Sequence, residues 1–224
     1  MTLTLYTYDW LPEFPRGFVR DMRVRWILEE LGRDYQVKTV PTQPKSDAHR
    51  AMQPFAQVPV IQDEGMTLFE SGAIMMHLAE GSALLPEARR AEVAQWVFAA
   101  LNTIEVAGSH WINLVLAERM PEIFGPVPAP AVIAHAREGL ATRLAALENV
   151  VSKKEWLAGE FSVGDLAMID VLRVLDAEGM LTECPELGAF VRRGTGRPAF
   201  KRAMADHMAH WTAADEARAV ASPA

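Results

Sequence analysis

A proline stands inside the apolar run Gln57-Val58-Pro59-Val60-Ile61, and it restricts the fold more than any other single residue. Proline has no N–H to give to a central strand, so a strand here can begin at Pro59 but cannot run through it. A cis Val58–Pro59 bond would turn the preceding backbone outward and leave the N–H and C=O of Val58 for a ligand. Eleven residues past the proline comes Glu70-Ser71-Gly72-Ala73-Ile74, the start of an apolar helix. A hydroxyl beside the free N–H groups of a helix start can hold a carboxylate. Each half has a plainer reading, Pro59 as a strand-edge proline and Glu70-Ser71 as an N-terminal cap. Together they favour a site for an extended, peptide-like, zwitterionic molecule.

Composition narrows the classes. Half of the 224 residues are hydrophobic and 23% are charged, as in a packed globular protein. A net charge of −7 argues against a nucleic-acid partner, which needs a basic face. No run reaches the roughly 18 apolar residues of a membrane span, and MTLTLYTYDW lacks the pattern of a secretory signal. A single cysteine, Cys184, allows neither an internal disulfide nor a C-x-x-C pair. These features fit a cytoplasmic protein and leave enzyme and binder equally open.

Residues 2–8 alternate polar and apolar β-formers, a strand pattern, and a loop rich in proline and aromatics follows over residues 9–17. Residues 18–31 read as a helix, with Val19, Met22, Trp26 and Leu28 apolar between Arg20, Arg23 and Arg25, and Gly32 as its stop. A second strand spans 35–40, a short helix 46–52, a hairpin 58–69 about Asp63-Glu64-Gly65, and a helix 71–80. This β-α-β-α-β-β-α order predicts an α/β domain over residues 1–81. Beyond a linker at 81–86, helical periods dominate: 91–118, 131–151, 162–175, 185–193 and 198–208. The four prolines of residues 121–130 mark a loop, Ser162 and Asp165 form a capping box, and an Ala-rich tail follows Trp211. Residues 87–224 are therefore expected to be an all-helical domain.

Four segments, in order and spacing, resemble the glutathione S-transferase family over nearly the whole chain. They are Arg23-Val24-Arg25-Trp26-Ile27-Leu28-Glu29-Glu30-Leu31-Gly32, Gln57-Val58-Pro59-Val60, Glu70-Ser71-Gly72-Ala73-Ile74 and Ser162-Val163-Gly164-Asp165-Leu166-Ala167. The resemblance implies a thioredoxin-like N-terminal domain, a helical-bundle C-terminal domain and a two-fold homodimer. It further implies a cytoplasmic detoxification enzyme that takes glutathione as co-substrate, with no metal, and an apolar pocket between the domains for a small electrophile. By the same resemblance Val58 pairs with the cysteinyl part of glutathione and Pro59 is the cis-proline. Glu70 takes the γ-glutamyl ammonium and Ser71 its carboxylate. Gln57 lies beside them, Gln43 or Lys45 meets the glycyl carboxylate, and Arg20 is structural.

The chemistry of that family requires a thiolate, and a free thiol has a pKa of about 8.5. A hydrogen-bond donor and a nearby helix N-terminus lower it. The family's hydroxyl position falls on Val19, which cannot donate. Tyr8, at the end of the first strand, is the leading substitute. Arg16 or Arg20 could act by charge, and Trp10 by its indole N–H. If none acts, the chain is a non-catalytic glutathione-binding protein; with a different second pocket the same thiolate would serve a peroxidase or an isomerase. Outside this region, His207 and His210 have the spacing of a metal pair but are read as solvent-facing, and Cys184 as incidental. Trp96, Phe98, Trp111 and Ile112 are assigned to packing.

Overall fold

The strand β1 (Leu3–Tyr8) places Leu3, Leu5 and Thr7 in the core and turns Tyr6 and Tyr8 to a half-buried face. It pairs in parallel with β2 (Tyr35–Val40) and antiparallel with β3 (Val60–Asp63), which pairs antiparallel with β4 (Met66–Phe69). The sheet order is β2-β1-β3-β4. The computed structural model describes residues 2–221.

The helix α1 (Asp21–Leu31) starts three residues later than its periodicity predicts and ends on Gly32, whose φ of 60° suits a residue without a Cβ. Arg33 N–H then reaches back to the Leu28 carbonyl at 2.9 Å. Arg23 and Arg25, which alternate with apolar residues as if on a solvated face, are buried. The reason is that α1 is packed on several sides, by β1, by α3 (Ser71–Ala79) and by α10 (Pro198–Ala221). Between β2 and β3, α2 (Asp47–Met52) is capped by Ser46, whose hydroxyl accepts from His49 N–H at 3.2 Å.

A second compact unit holds the remaining helices. The long helix of the sequence is there as α4 (Arg90–Phe98), a π-helical turn (Ala99–Ile104) and α5 (Glu105–Arg119) in unbroken succession. The proline-rich stretch is only partly loop, because Pro121 and Pro130 occupy the first positions of α6 (Pro121–Phe124) and α7 (Pro130–Val151). At the start of α8 (Val163–Ala177) the capping box forms: the Asp165 carboxylate accepts from Ser162 N–H (2.9 Å), Ser162 hydroxyl (2.7 Å) and Leu157 N–H (2.7 Å). Gly164 lets this turn approach α4, since a Cβ there would stand 2.9 Å from that of Trp96. The unit is completed by α9 (Pro185–Thr195).

Contacts divide the chain differently from a linear split at residues 81 and 87. Residues up to Leu85 cluster with those from Thr195 onward, and Pro86–Gly194 form the other unit. The difference lies in α10, which runs through the Ala-rich segment expected to be a tail. Alanine is a strong helix former, and α10 is fastened to α1 by Arg202–Glu29 (2.6 Å) and the Arg25–Asp206 pair, with Arg197, just before α10, held by Glu30 (2.6 Å). Among the described residues no helix is long and apolar enough to cross a membrane.

Candidate functional site

Strand register brings the separated motifs to one edge of the sheet. Tyr6 faces Val60 across β1 and β3, and Val60 faces Phe69 across β3 and β4. Two residues further along β1 comes Tyr8, its last residue, and two residues before Val60 comes Val58, outside the paired part of β3. One residue beyond Phe69 comes Glu70, the N-cap of α3. The Val58–Pro59 peptide is cis, and β3 pairing starts only at Val60. The motifs read from the sequence thus lie at the ends of three adjacent strands.

Two hydroxyls at this edge are each held by a cation. Ser71 is buried, and Arg23 Nη1, itself buried, donates to its Oγ at 3.1 Å. A hydroxyl that accepts from a guanidinium keeps its own proton for another acceptor. Tyr8 is half-buried, and Lys45 Nζ donates to its Oη at 3.1 Å while lying 4.2 Å from the ring centroid. Glu70 is exposed and adopts φ 69°, a left-handed conformation that costs a non-glycine residue energy. Gln57 is exposed at its side chain, but its carbonyl accepts from the buried His49 Nε2 at 2.9 Å. His49 thereby ties α2 to the residue that precedes Val58.

The remaining candidates are placed differently. Arg16 is engaged by the Leu11 carbonyl (2.6 Å to Nη2) and by Asp215 of α10 (2.5 and 2.7 Å). The indole N–H of Trp10 also goes to Asp215, at 2.8 Å. Arg20 is exposed at the N-cap of α1, and Val19, half-buried, gives its carbonyl to Met22 N–H at 3.0 Å. The two histidines of α10 face inward, against expectation. His207 is fully buried, with Nδ1 3.3 Å from Asp21 Oδ2 and Nε2 accepting from Trp211 Nε1 at 3.1 Å. His210 Nε2 donates to the Tyr8 carbonyl at 2.9 Å, and burial pushes its pKa down.

Sequence reasoning therefore missed Arg23, His49, His210 and Asp215. Arg23 lies within a quoted motif, yet its alternation with apolar residues reads as solvent exposure. Nothing local marks the other three, because their partners lie 8, 202 and 199 residues away.

Comparison with known proteins identifies the family. The family model for the N-terminal domain of glutathione S-transferases matches residues 2–80. Glutathione S-transferase 3 of Zea mays is 30% identical over 204 residues, covering 82% of this chain and 88% of that protein. Glutathione S-transferase 1 of Zea mays is 32% identical over 164 residues, covering 69% and 75%. A solved structure of glutathione S-transferase I from mais, in complex with an atrazine glutathione conjugate, matches with a TM-score of 0.74 at 26% identity, over 92% of this chain and 97% of that one. A thioredoxin-like unit with a cis-proline edge, followed by helices, and sequence identity sustained through most of the chain place it: this protein belongs to the glutathione S-transferase family.

Proposed function

We propose that this protein is a glutathione transferase that holds glutathione along the edge formed by Tyr8, Val58 and Ser71 and delivers its thiolate to a small apolar electrophile. The observation that carries the reading is the pairing of Ser71 with buried Arg23 at the start of α3. Ser71 lies two residues past Phe69, and Phe69 pairs with Val60, two residues past Val58, which supports one site made of Ser71 and the unpaired backbone of Val58. In this reading Ser71 donates to the γ-glutamyl carboxylate, and Glu70 takes the ammonium beside it. The N–H and C=O of Val58 pair with the cysteinyl residue, as one strand pairs with another. Lys45 has three donor protons, so one can hold Tyr8 while another meets the glycyl carboxylate near Gln43.

Tyr8 is the proposed activator. Its oxygen accepts from Lys45, which leaves its own proton to donate to the sulfur. Such a bond favours the thiolate over the thiol. The sulfur then attacks an electrophilic carbon, a C–S bond forms, and the leaving group departs with the electrons of the bond it breaks. Arg16 and Trp10, bound to Asp215, act on the loop rather than on the sulfur.

Ultraviolet absorbance of bound glutathione, titrated against pH, tests the assignment. The thiol pKa is expected to fall below its free value in the wild-type protein and to return toward it in Tyr8→Phe. Ser71→Ala is expected to weaken glutathione binding by about 1–3 kcal/mol, the cost of an unpaired charged partner. An unshifted thiol in the wild type would leave only a glutathione-binding protein.

The same reading includes a homodimer, cytoplasmic residence and a role in detoxification. The dimer is supported by large apolar side chains turned to solvent, Phe55 (67% exposed), just before the site, and Phe98 and Val106 (60% each). Sedimentation equilibrium is expected to return twice the chain mass; a single-chain mass at micromolar concentration would reject it.

A further inference from the structure

The twelve residues between β1 and α1 have few bonds of their own. Asp9 N–H reaches the Val40 carbonyl (2.9 Å), Arg16 N–H the Glu13 carbonyl (3.0 Å) and Phe18 N–H the Pro15 carbonyl (3.1 Å). Thr42 N–H donates to Asp9 Oδ1 (3.0 Å), the Thr42 hydroxyl to the Trp10 carbonyl (2.5 Å) and Arg16 to the Leu11 carbonyl, and further anchoring comes from one stripe of α10. His207, His210, Trp211, Asp215 and Arg218 recur at helical spacing, so they lie along one face. His210 holds the Tyr8 carbonyl, Asp215 accepts from Trp10 and from both terminal nitrogens of Arg16, and Arg218 lies 4.2 Å from the Trp10 ring centroid. Gly17, at φ 85°, passes under Met208, and His207 meets Asp21 in the first turn of α1. The carboxylate of Asp215 is held by these partners at a pKa of about 2, so it stays charged across the neutral range.

From this arrangement we infer that α10 is a clamp that fixes the β1–α1 loop, with Asp215 and His210 as positioning residues for the thiol-activating end of β1. The inference rests on the transferase reading for its chemical consequence but not for its mechanics. Tyr8 sits at the last residue of β1, its main chain bonded to α10 and its hydroxyl to Lys45. Releasing the clamp frees the main chain on one side of that hydroxyl. Of the residues proposed to meet the backbone and charged ends of glutathione, Lys45 lies before α2, Val58 just before β3, Glu70 between β4 and α3, and Ser71 at the start of α3; none bonds to this stripe of α10, so a loosened loop separates catalysis from binding.

Asp215→Ala is the test, with Asp215→Glu as the conservative control and an activated aryl chloride as electrophile. In Asp215→Ala the amides of residues 9–20 are expected to exchange faster. The turnover number is expected to drop about tenfold, the order lost when a reacting group is misplaced by a fraction of an ångström. The bound thiol pKa is expected to rise toward its free value while the glutathione Kd stays within about twofold. Asp215→Glu is expected to recover most of the turnover. Unaltered loop exchange in Asp215→Ala overturns the clamp alone. Faster exchange with wild-type turnover and thiol pKa overturns the positioning role, as does a Kd that fails in step with turnover. A wild-type protein that leaves the thiol unshifted removes the transferase reading and the positioning role together, while the exchange result still decides the clamp.

Discussion

Glu70 holds a positive-φ backbone conformation, φ 69° and ψ 113°, that is less strained for a residue without a Cβ. Its φ of 69° carries a penalty of roughly 1–3 kcal/mol for a residue with a Cβ. Nothing in the turn from β4 into α3 requires the carboxylate, since the Glu70 side chain makes no capping bond to the helix. An exposed acid retained at a strained position, beside a serine fixed by a buried arginine, is explained if its charge meets a cation of the ligand. Glu70→Gly separates the two roles. Relief of the strain opposes the greater freedom of glycine in the unfolded chain, so stability is expected to hold or to rise by up to about 2 kcal/mol. Glutathione affinity is expected to fall nonetheless. Urea unfolding and calorimetric titration of the same variant decide it: unchanged affinity would make Glu70 a turn residue only, and Ser71 the sole side-chain contact of the γ-glutamyl end.

At the level of elements, local chemistry was readable and long-range pairing was not. The strands at 35–40 and 66–69, the stop at Gly32 and the cap at Ser162 follow from residues within a few positions of one another, while the cis bond before Pro59 was an expectation of the family resemblance that the structure bears out. The candidate site was marked in the same way: proline placement and helix-start chemistry drew attention to Val58, Pro59, Glu70 and Ser71, and the family resemblance gave each its proposed role. What periodicity could not supply was the environment of each face. The arginines of α1 alternate with apolar residues, yet both Arg23 and Arg25 are buried: Arg25 pairs with Asp21 and with Asp206 of α10, and Arg23 donates to Ser71. Likewise α10 runs thirteen residues past the expected end at Met208, because its polar stripe has partners in the loop after β1. A helix whose specificity comes from five side chains meeting a segment two hundred residues away leaves only alanines and scattered charges in the sequence. The sequence left the thiol activator open for the same reason, since the bonds of Arg16 and Trp10 to Asp215 cross the whole chain.

Across the whole molecule, the two compact units carry buried carboxylates of opposite character. Asp21, in the first, is wholly buried; burial lifts its pKa, but His207 and Arg25 outweigh that and hold it below the ordinary carboxylate value. A native pKa below the unfolded one contributes stability that is complete above about pH 4 and is lost as pH falls toward the native value. Asp165, in the second, is the reverse: burial outweighs its bonds from Leu157 and Ser162 and raises the pKa. Its charged form therefore costs stability above the native pKa, and acidification relieves that cost as the pH falls through it toward about 4. Mild acid is thus expected to weaken the fastening of α10 to α1 before it weakens the start of α8. Hydrogen exchange followed from about pH 6 to about pH 3, corrected for intrinsic rates, should show protection in α1 and α10 falling below about pH 4 while the first turns of α8 hold or gain. Asp21→Asn should remove most of the acid response in α1 and α10, because the group that titrates is gone. Parallel loss of protection in both units, unchanged by that substitution, would show that acid acts through net charge on the chain as a whole and not through these two carboxylates.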